Sequence, residues 1–409
     1  MDDFRPRLEL RSQKQLGDSE RRQLKQAGLF GLAPVEAWSA GGTNRQNAYA
    51  THGLFRYFGK FPPPVASYLI KKYSKPGELV SDPMCGSATT GVECLLDERE
   101  CELRDVNPLS LLLARVKTRR VSANSLSCAL ERVRKRYVPL DHGFEPVGLR
   151  DVSHWFLPST QSSLRGLKAA IDAESRSQVR DVFTAVFASC IRRVSKATTQ
   201  QGRLFLDEKT AVADAWPVFE RKVKGVISAV SGLPSNHPPR IQKRDIRCSI
   251  DEGIQSSASL VILHPPYFNA YRYSRINSLE LAWLGYEPKS VRPLEVREYF
   301  KVGKEKNLDT YLDDMQIALT NSAQQLRHGG VLALMIGDTV LHGKHLPVTA
   351  QLLNRVTGGG LCVEKIAIRI PRYAEANWVA SQRRRGKKLG VALCDYVVVM
   401  RKHKGDKDV

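Results

Sequence analysis

The sequence predicts a doubly wound α/β fold: a mostly parallel sheet flanked by helices, interrupted by a helical insertion and closed by an antiparallel hairpin. Three observations predict it. Short apolar strand patterns alternate with amphipathic helix patterns from Glu78 to Lys117, and strands return from Ile241 to Ile336. The intervening residues 121–239 carry helical periodicity instead, with Val179, Val182, Phe183, Val186, Phe187, Cys190, Ile191 and Val194 at three-four spacing. Two long strand patterns end the chain with no helix pattern between them, which is how an antiparallel pair reads.

Residues 1–30 are charged and polar and Ala40–Gly53 (AGGTNRQNAYATHG) reads as a loop, so 1–45 is expected to be an N-terminal extension. Residues 46–120 form the first part of the α/β domain: strand Glu78–Pro83 (ELVSDP), small-residue turn Met84–Ala88, helix Thr89–Asp97, strand Cys101–Val106 and helix Pro108–Lys117. Residues 121–239 are the helical insertion, whose second long helix carries Ala215, Trp216, Phe219, Val223, Val226, Ile227 and Val230. Residues 240–409 form the second part: strands Ile241–Arg247, Ser259–Leu263 and Gly330–Ile336, a helix Asp309–Arg327, and the hairpin Cys362–Ile370 with Val391–Arg401.

Composition narrows the function classes. Hydrophobic residues at 42% and charged residues at 26% are ordinary for a globular chain of 409 residues. The charge is not ordinary: 63 Lys+Arg against 42 Asp+Glu give +21, a field that favours a polyanion, nucleic acid first. No run of about 18 apolar residues and no apolar signal core occur, so a cytoplasmic protein without membrane association is expected. The eight cysteines form no Cys-x-x-Cys pair, so neither a metal site nor a disulfide framework is expected.

In an open α/β sheet, ligands sit beyond the carboxyl ends of the strands, where the winding reverses. Asp82–Thr90 (DPMCGSATT) follows the first strand and opens a helix; its small residues admit a ligand to the backbone and to the free N–H groups of the helix start. An ordinary strand-to-helix turn has the same composition. Asp105 ends the second strand, about twenty residues on, where a carboxylate commonly accepts both hydroxyls of a ribose; the alternative is that it caps the helix starting at Pro108, and Asn107 is expected to cap that helix in either case. His264-Pro265-Pro266-Tyr267 follows the third strand. Two prolines freeze the backbone and would hold carbonyl oxygens and the preceding side chain outward as acceptors, beside a tyrosine face. A purely structural proline turn is the alternative.

With these motifs in this order the chain resembles the exocyclic-amino DNA methyltransferases, which methylate cytosine N4 or adenine N6. His52–Phe61 (HGLFRYFGKF) resembles the family's segment before the first strand, Asp82–Thr90 its cofactor loop, and His264–Tyr267 its Ser/Asn/Asp-Pro-Pro-Tyr tetrapeptide. Phe268–Tyr286 and Ile191–Ser195 are also similar to members, so the resemblance covers about residues 50–402. It implies the Rossmann-like S-adenosylmethionine-dependent methyltransferase fold with seven strands, S-adenosyl-L-methionine as cofactor and double-stranded DNA as partner, in a restriction-modification setting. The target amine is a poor nucleophile, so the site must draw its hydrogens out of plane with two acceptors after the base is flipped from the duplex. Cytosine N4 is slightly preferred, from the segment after Pro-Pro-Tyr. Adenine N6, an RNA substrate and a non-catalytic DNA-binding relative are the alternatives.

Carried over residue by residue, the resemblance makes His264, Pro265, Pro266 and Tyr267 the catalytic group. It puts Lys60 and Phe61 near the methionine part of the cofactor, Asp82, Cys85, Gly86 and Ser87 around its methionyl and sugar parts, Asp105 at the ribose and Asp245 near the adenine amine. For DNA, the densest basic runs are Glu131–Arg136 (ERVRKR) and Arg383, Arg384, Arg385, Lys387 and Lys388 in the loop between the terminal strands. Three positions depart from the family: Met84 stands for the usual Phe, Ala88 for Gly, and His264 for Ser, Asn or Asp. Only a neutral imidazole accepts a hydrogen bond, so transfer is expected to fall as pH drops through the ordinary histidine pKa of about 6.5. No Pro-Cys dipeptide occurs, which disfavours the covalent C5-cytosine route.

Overall fold

The apolar run Ala258–Leu263 is buried along its whole length, as a strand inside a parallel sheet must be. The computed structural model describes residues 5–40, 42–200, 203–207, 214–249, 257–268, 272–296, 306–356, 360–369, 387–388 and 393–403. In chain order the strands are β1 (Leu8–Arg11), β2 (Val35–Ala40), β3 (Leu79–Asp82), β4 (Glu100–Asp105), β5 (Ala197–Gln200), β6 (Arg203–Leu206), β7 (Arg240–Lys243), β8 (Ala258–Leu263), β9 (Leu326–Gly337), β10 (Thr339–Leu341), β11 (Lys344–Leu346), β12 (Leu361–Arg369) and β13 (Asp395–Lys402).

Nine of them form one sheet in the order β1-β2-β12-β13-β9-β8-β3-β4-β7, while β5–β6 and β10–β11 are separate hairpins. The pairs from β9 through β8, β3 and β4 to β7 are all parallel. Only β13 runs against both of its neighbours, β9 and β12, as the absence of a helix pattern between the terminal strands predicts. The strand order reverses between β3 and β8, which sets the carboxyl ends of these two strands side by side at the switch point.

Alternate residues along the strands feed two cores. Val261, Leu263, Leu332, Leu334, Ile366, Ile368 and Val398 pack with Tyr311, Leu312 and Met315 of the helix Lys306–Gln325 on one face. Leu260, Ile262, Val331, Ala333, Val397 and Val399 pack with Val65, Leu69 and Ile70 of the helix Pro63–Tyr73 on the other. This period of two is the pleat. A third core lies among the helices Ala123–Arg136, Pro158–Asp172, Ser177–Val194 and Trp216–Ser231 and continues into the helix Pro108–Lys117. Arg192 ties this helical layer to the segment after the proline turn. Its Nη2 donates to the Ile276 carbonyl at 2.6 Å and to Glu280 at 3.0 Å, and its guanidinium lies 5.5 Å from the Phe58 ring centre.

The N-terminal residues differ from their polar reading. Strand β2 pairs in parallel with β12, Val35 opposite Ile366, and β1 pairs antiparallel with β2, so this segment adds two strands to the sheet, with β1 at its edge. Arg5 reaches across to Asp97 at 2.9 Å. Six residues such as VEAWSA are too few to show a period, and their pairing partner lies more than three hundred residues away in sequence. Among the described residues no helix is long and apolar enough to cross a membrane.

Candidate active site

Strand β3 delivers Asp82 to the switch point, and the turn that follows is wrapped around its carboxylate. Oδ1 accepts from the Met84 N–H at 3.2 Å and Oδ2 from the Thr90 hydroxyl at 2.6 Å. Burial pushes the Asp82 pKa up to about 7 against those donors. Gly86 sits at φ +46°, and a Cβ there would press on the Tyr57 ring at 3.3 Å, so glycine lets Tyr57 close over the turn. Ala88, at the position where the resemblance expects glycine, holds the left-handed conformation at φ +58° immediately before the helix Thr89–Leu96. Beneath the turn, the fully buried Lys117 donates from Nζ to the Ser87 carbonyl, and burial pulls its pKa down to about 7.

The end of β4 is bonded to the same turn. Asp105 accepts from the Gly86 N–H at 2.9 Å and from the Asn107 N–H at 2.8 Å. Asn107, not Asp105, caps the helix Pro108–Lys117, its Oδ1 accepting from the Leu109 N–H at 3.0 Å. Asp105 also lines the cleft.

Across the switch point, β8 ends in the proline turn. The His264 ring stands 5.3 Å from that of Phe61 and 5.5 Å from that of Tyr267, at 84° to the latter. Burial, opposed by Asp395 and reinforced by the Arg369 cation, pushes the His264 pKa down to about 4. The imidazole is therefore neutral at pH 7, and the acid limb expected near the ordinary histidine value moves down with it. A second expectation also changes. The Pro266 carbonyl is turned to the protein, where it accepts from the buried Tyr311 hydroxyl at 2.9 Å, so the turn does not aim all its carbonyls outward.

Both loops line one open cleft with about 760 Å³ of empty space. Of the residues singled out in the sequence, Phe61, Asp82, Cys85, Gly86, Ser87, Asp105, Asp245, His264 and Pro266 meet there. Lys60, Pro265 and Tyr267 stand outside its lining; the Lys60 ammonium donates to the His52 carbonyl at 3.4 Å, and the Tyr267 ring lies against Gly337. Asp245 is gripped by Arg247, whose Nε and Nη2 reach its two oxygens at 3.0 and 2.6 Å, and its pKa is lowered by these bonds in spite of burial. Lys387 and Lys388 are exposed, while Arg383, Arg384 and Arg385 lie outside the described residues.

Sequence reading missed four parts of the wall. Tyr57 and Tyr273 stack at 5.5 Å and 23°, and the Tyr57 hydroxyl lies 3.1 Å from that of Ser110. Glu295 accepts from the Ser274 N–H at 2.8 Å and lines the cleft beside Arg244. Tyr57 sits inside the His52–Phe61 motif and could have been found there. Tyr273 likewise lies inside the Phe268–Tyr286 resemblance, whereas Arg244 and Glu295 carry no local signal.

A sheet with this reversal, a strand β13 antiparallel to both of its neighbours, and a small-residue turn and an acid at adjacent strand ends has the Rossmann-like methyltransferase fold. Residues 11–111 match the family model described as DNA methylase, of N6 and N4 type. The Type II methyltransferase M.MjaII of Methanocaldococcus jannaschii is 30% identical over 84 residues, 20% of this chain and 16% of that protein. The Type II methyltransferase M.MvaI of Kocuria varians is 26% identical over 227 residues, 50% of each chain. The solved structure of TrmN from Thermus thermophilus aligns with a TM-score of 0.34 at 13% identity, covering 90% of this chain and 57% of that one. The chain is thus similar to exocyclic-amino DNA methyltransferases over part of its length, and it spans half or less of the length of the curated relatives it matches.

S-adenosyl-L-methionine is the cofactor that the partial match to the DNA methylase family supports, and the residues present fit it. A half-buried carboxylate, Asp105, lines the cleft at the end of β4, and the neighbouring floor at Gly86 is bare backbone.

Proposed function

We propose that this protein methylates an exocyclic amine of a base flipped out of duplex DNA, with cytosine N4 slightly preferred over adenine N6. One observation carries the reading: the Asp82–Ser87 turn and the proline turn line the same cleft, from adjacent strands on either side of the switch point. The net charge of +21 supports a nucleic-acid partner.

In this reading Asp105 binds the ribose hydroxyls, Asp82, Cys85, Gly86 and Ser87 surround the sugar and methionyl parts, and Lys60 and Phe61 lie toward the methionine end. Asp245 serves the adenine end, its carboxylate held in place by Arg247. When bound, S-adenosyl-L-methionine supplies an electrophilic methyl group. The protein's work is done on the amine. His264, kept neutral by burial, offers a lone pair to one amine hydrogen, and the Pro265 carbonyl offers a second acceptor fixed by the proline backbone. Two acceptors drawing the hydrogens out of the base plane return the lone pair to nitrogen, so positioning and electrostatics carry the rate. Tyr267 provides the face on which the flipped base stacks. Lys387, Lys388 and Arg383–Arg385 contact the duplex backbone.

The test supplies labelled S-adenosyl-L-methionine with duplex DNA and, separately, RNA, and identifies the methylated nucleoside by mass spectrometry. N4-methylcytosine is the expected product and N6-methyladenine would move the target base. Label in RNA alone, or in neither polymer, would overturn the reading.

A further inference from the structure

We infer that Asp395, braced by Arg369, is the positioning residue of Tyr267: it fixes the plane of the ring on which the flipped base stacks. The inference rests on the reading of Tyr267 given above. Two prolines fix the backbone of the turn, but they leave the tyrosine side chain its own torsions. Two neighbours remove that freedom. Behind the ring is Gly337, the last residue of β9; a Cβ there would stand 2.9 Å from Cε2 and 3.1 Å from Cδ2 of Tyr267, so the ring lies flush on bare backbone. At its far end the hydroxyl donates to Asp395 Oδ1 at 3.2 Å.

Asp395 is itself held. It opens β13, pairs in register with Gly337 on one side and with Arg369 on the other, and its Oδ2 accepts from Arg369 Nη1 in an ion pair whose side chains are each 9% exposed. Such a pair recovers little stability, because desolvating two charges costs about what their attraction returns; its use lies in fixing a geometry. The geometry at stake is the 84° between the Tyr267 and His264 rings. A base stacked on Tyr267 is parallel to that ring and so perpendicular to the imidazole. The imidazole lone pair lies in a plane that cuts the base plane at a right angle, so it can draw an amine hydrogen out of the base plane only when the amine sits on the line where the two planes cross. A tilt of the Tyr267 ring moves the base off that line without touching the methyl donor.

The experiment is a double-mutant cycle on the full chain, read by single-turnover methyl transfer from labelled S-adenosyl-L-methionine to unmethylated bacterial genomic DNA, alongside the affinities for cofactor and for DNA. Tyr267→Phe removes the donor. The paired change Arg369→Met with Asp395→Leu removes the acceptor and replaces the buried charges by apolar groups of similar size, an exchange that is often neutral for stability. Each arm is expected to slow transfer about tenfold with both affinities within about twofold, and the triple variant to be no slower than the slower arm. Gly337→Ala, which displaces the ring and leaves the ion pair in place, is expected to slow transfer similarly and decides the matter if the paired change does not fold. Wild-type rates in Tyr267→Phe and Gly337→Ala, or effects that multiply in the triple variant, would overturn the inference while leaving the methyltransferase reading intact. A wild-type protein that labels no DNA would overturn that reading, and this inference with it.

Discussion

Asp105 accepts a hydrogen bond from the Gly86 N–H at 2.9 Å, so the ends of β4 and β3 are joined through one carboxylate at the cleft. A group that both fixes the turn and lines the proposed cofactor cleft should be expensive to remove. Asp105→Ala is expected to weaken S-adenosyl-L-methionine binding by about 1–3 kcal/mol, measured by titration calorimetry on protein that retains its wild-type circular dichroism. Equal affinities would take Asp105 out of the cofactor site.

The low pKa of His264, about 4, makes a kinetic prediction. Single-turnover transfer should show no histidine limb between about pH 5.5 and 8, and His264→Ala should be slower by at least about tenfold across that range. A wild-type rate that drops through pH 6.5 would show an imidazole in contact with water.

The same group makes a stability prediction. Its folded pKa lies below the unfolded value of about 6.5, so the unfolded chain binds the extra proton between the two, and its contribution, whole above about pH 6.5, is lost as pH falls toward 4. Relative to wild type, His264→Asn should gain about 1–2 kcal/mol on going from pH 7.5 to pH 5, read from urea melts at both values. A difference that stays constant with pH would contradict the burial.

Arg192 spans the helical layer and the segment after the proline turn, and Glu280, its partner, has a side chain only 3% exposed. Arg192→Met leaves that carboxylate buried without its cation. A loss of about 3–5 kcal/mol in chemical denaturation is expected, and Arg192→Met with Glu280→Leu should recover most of it. No recovery in the double variant would place the cost in the packing on Phe58 instead.

Changing Arg383, Arg384, Arg385, Lys387 and Lys388 to glutamine should flatten the dependence of DNA affinity on salt, by about 0.9 in the log-log slope for each phosphate that is no longer neutralised. Binding curves at several salt concentrations measure it. A slope equal to that of wild type would move the backbone-binding residues elsewhere on the +21 surface.

Local pattern determined much of this protein. The alternation from Leu79 to Lys117, the all-buried Ala258–Leu263 strand and the Asn107 cap each depend on a few neighbouring residues, so they are written in the sequence. The two cleft-lining loops were legible for the same reason: turns are made of particular residue types at particular offsets. What only the tertiary structure decided are the relations between distant segments. The strands at 8–11 and 35–40 acquire their place from β12, Glu295 reaches the cleft from a stretch with no motif, and Lys117 becomes a buried prop of the turn after β3 because its helix folds back beneath Ser87. The Pro266 carbonyl is claimed by Tyr311, forty-five residues on. Even the protonation of His264, which a sequence can give only its ordinary value, is set by burial and by the opposed charges of Asp395 and Arg369, because a pKa belongs to an environment and the environment is assembled by the sheet order.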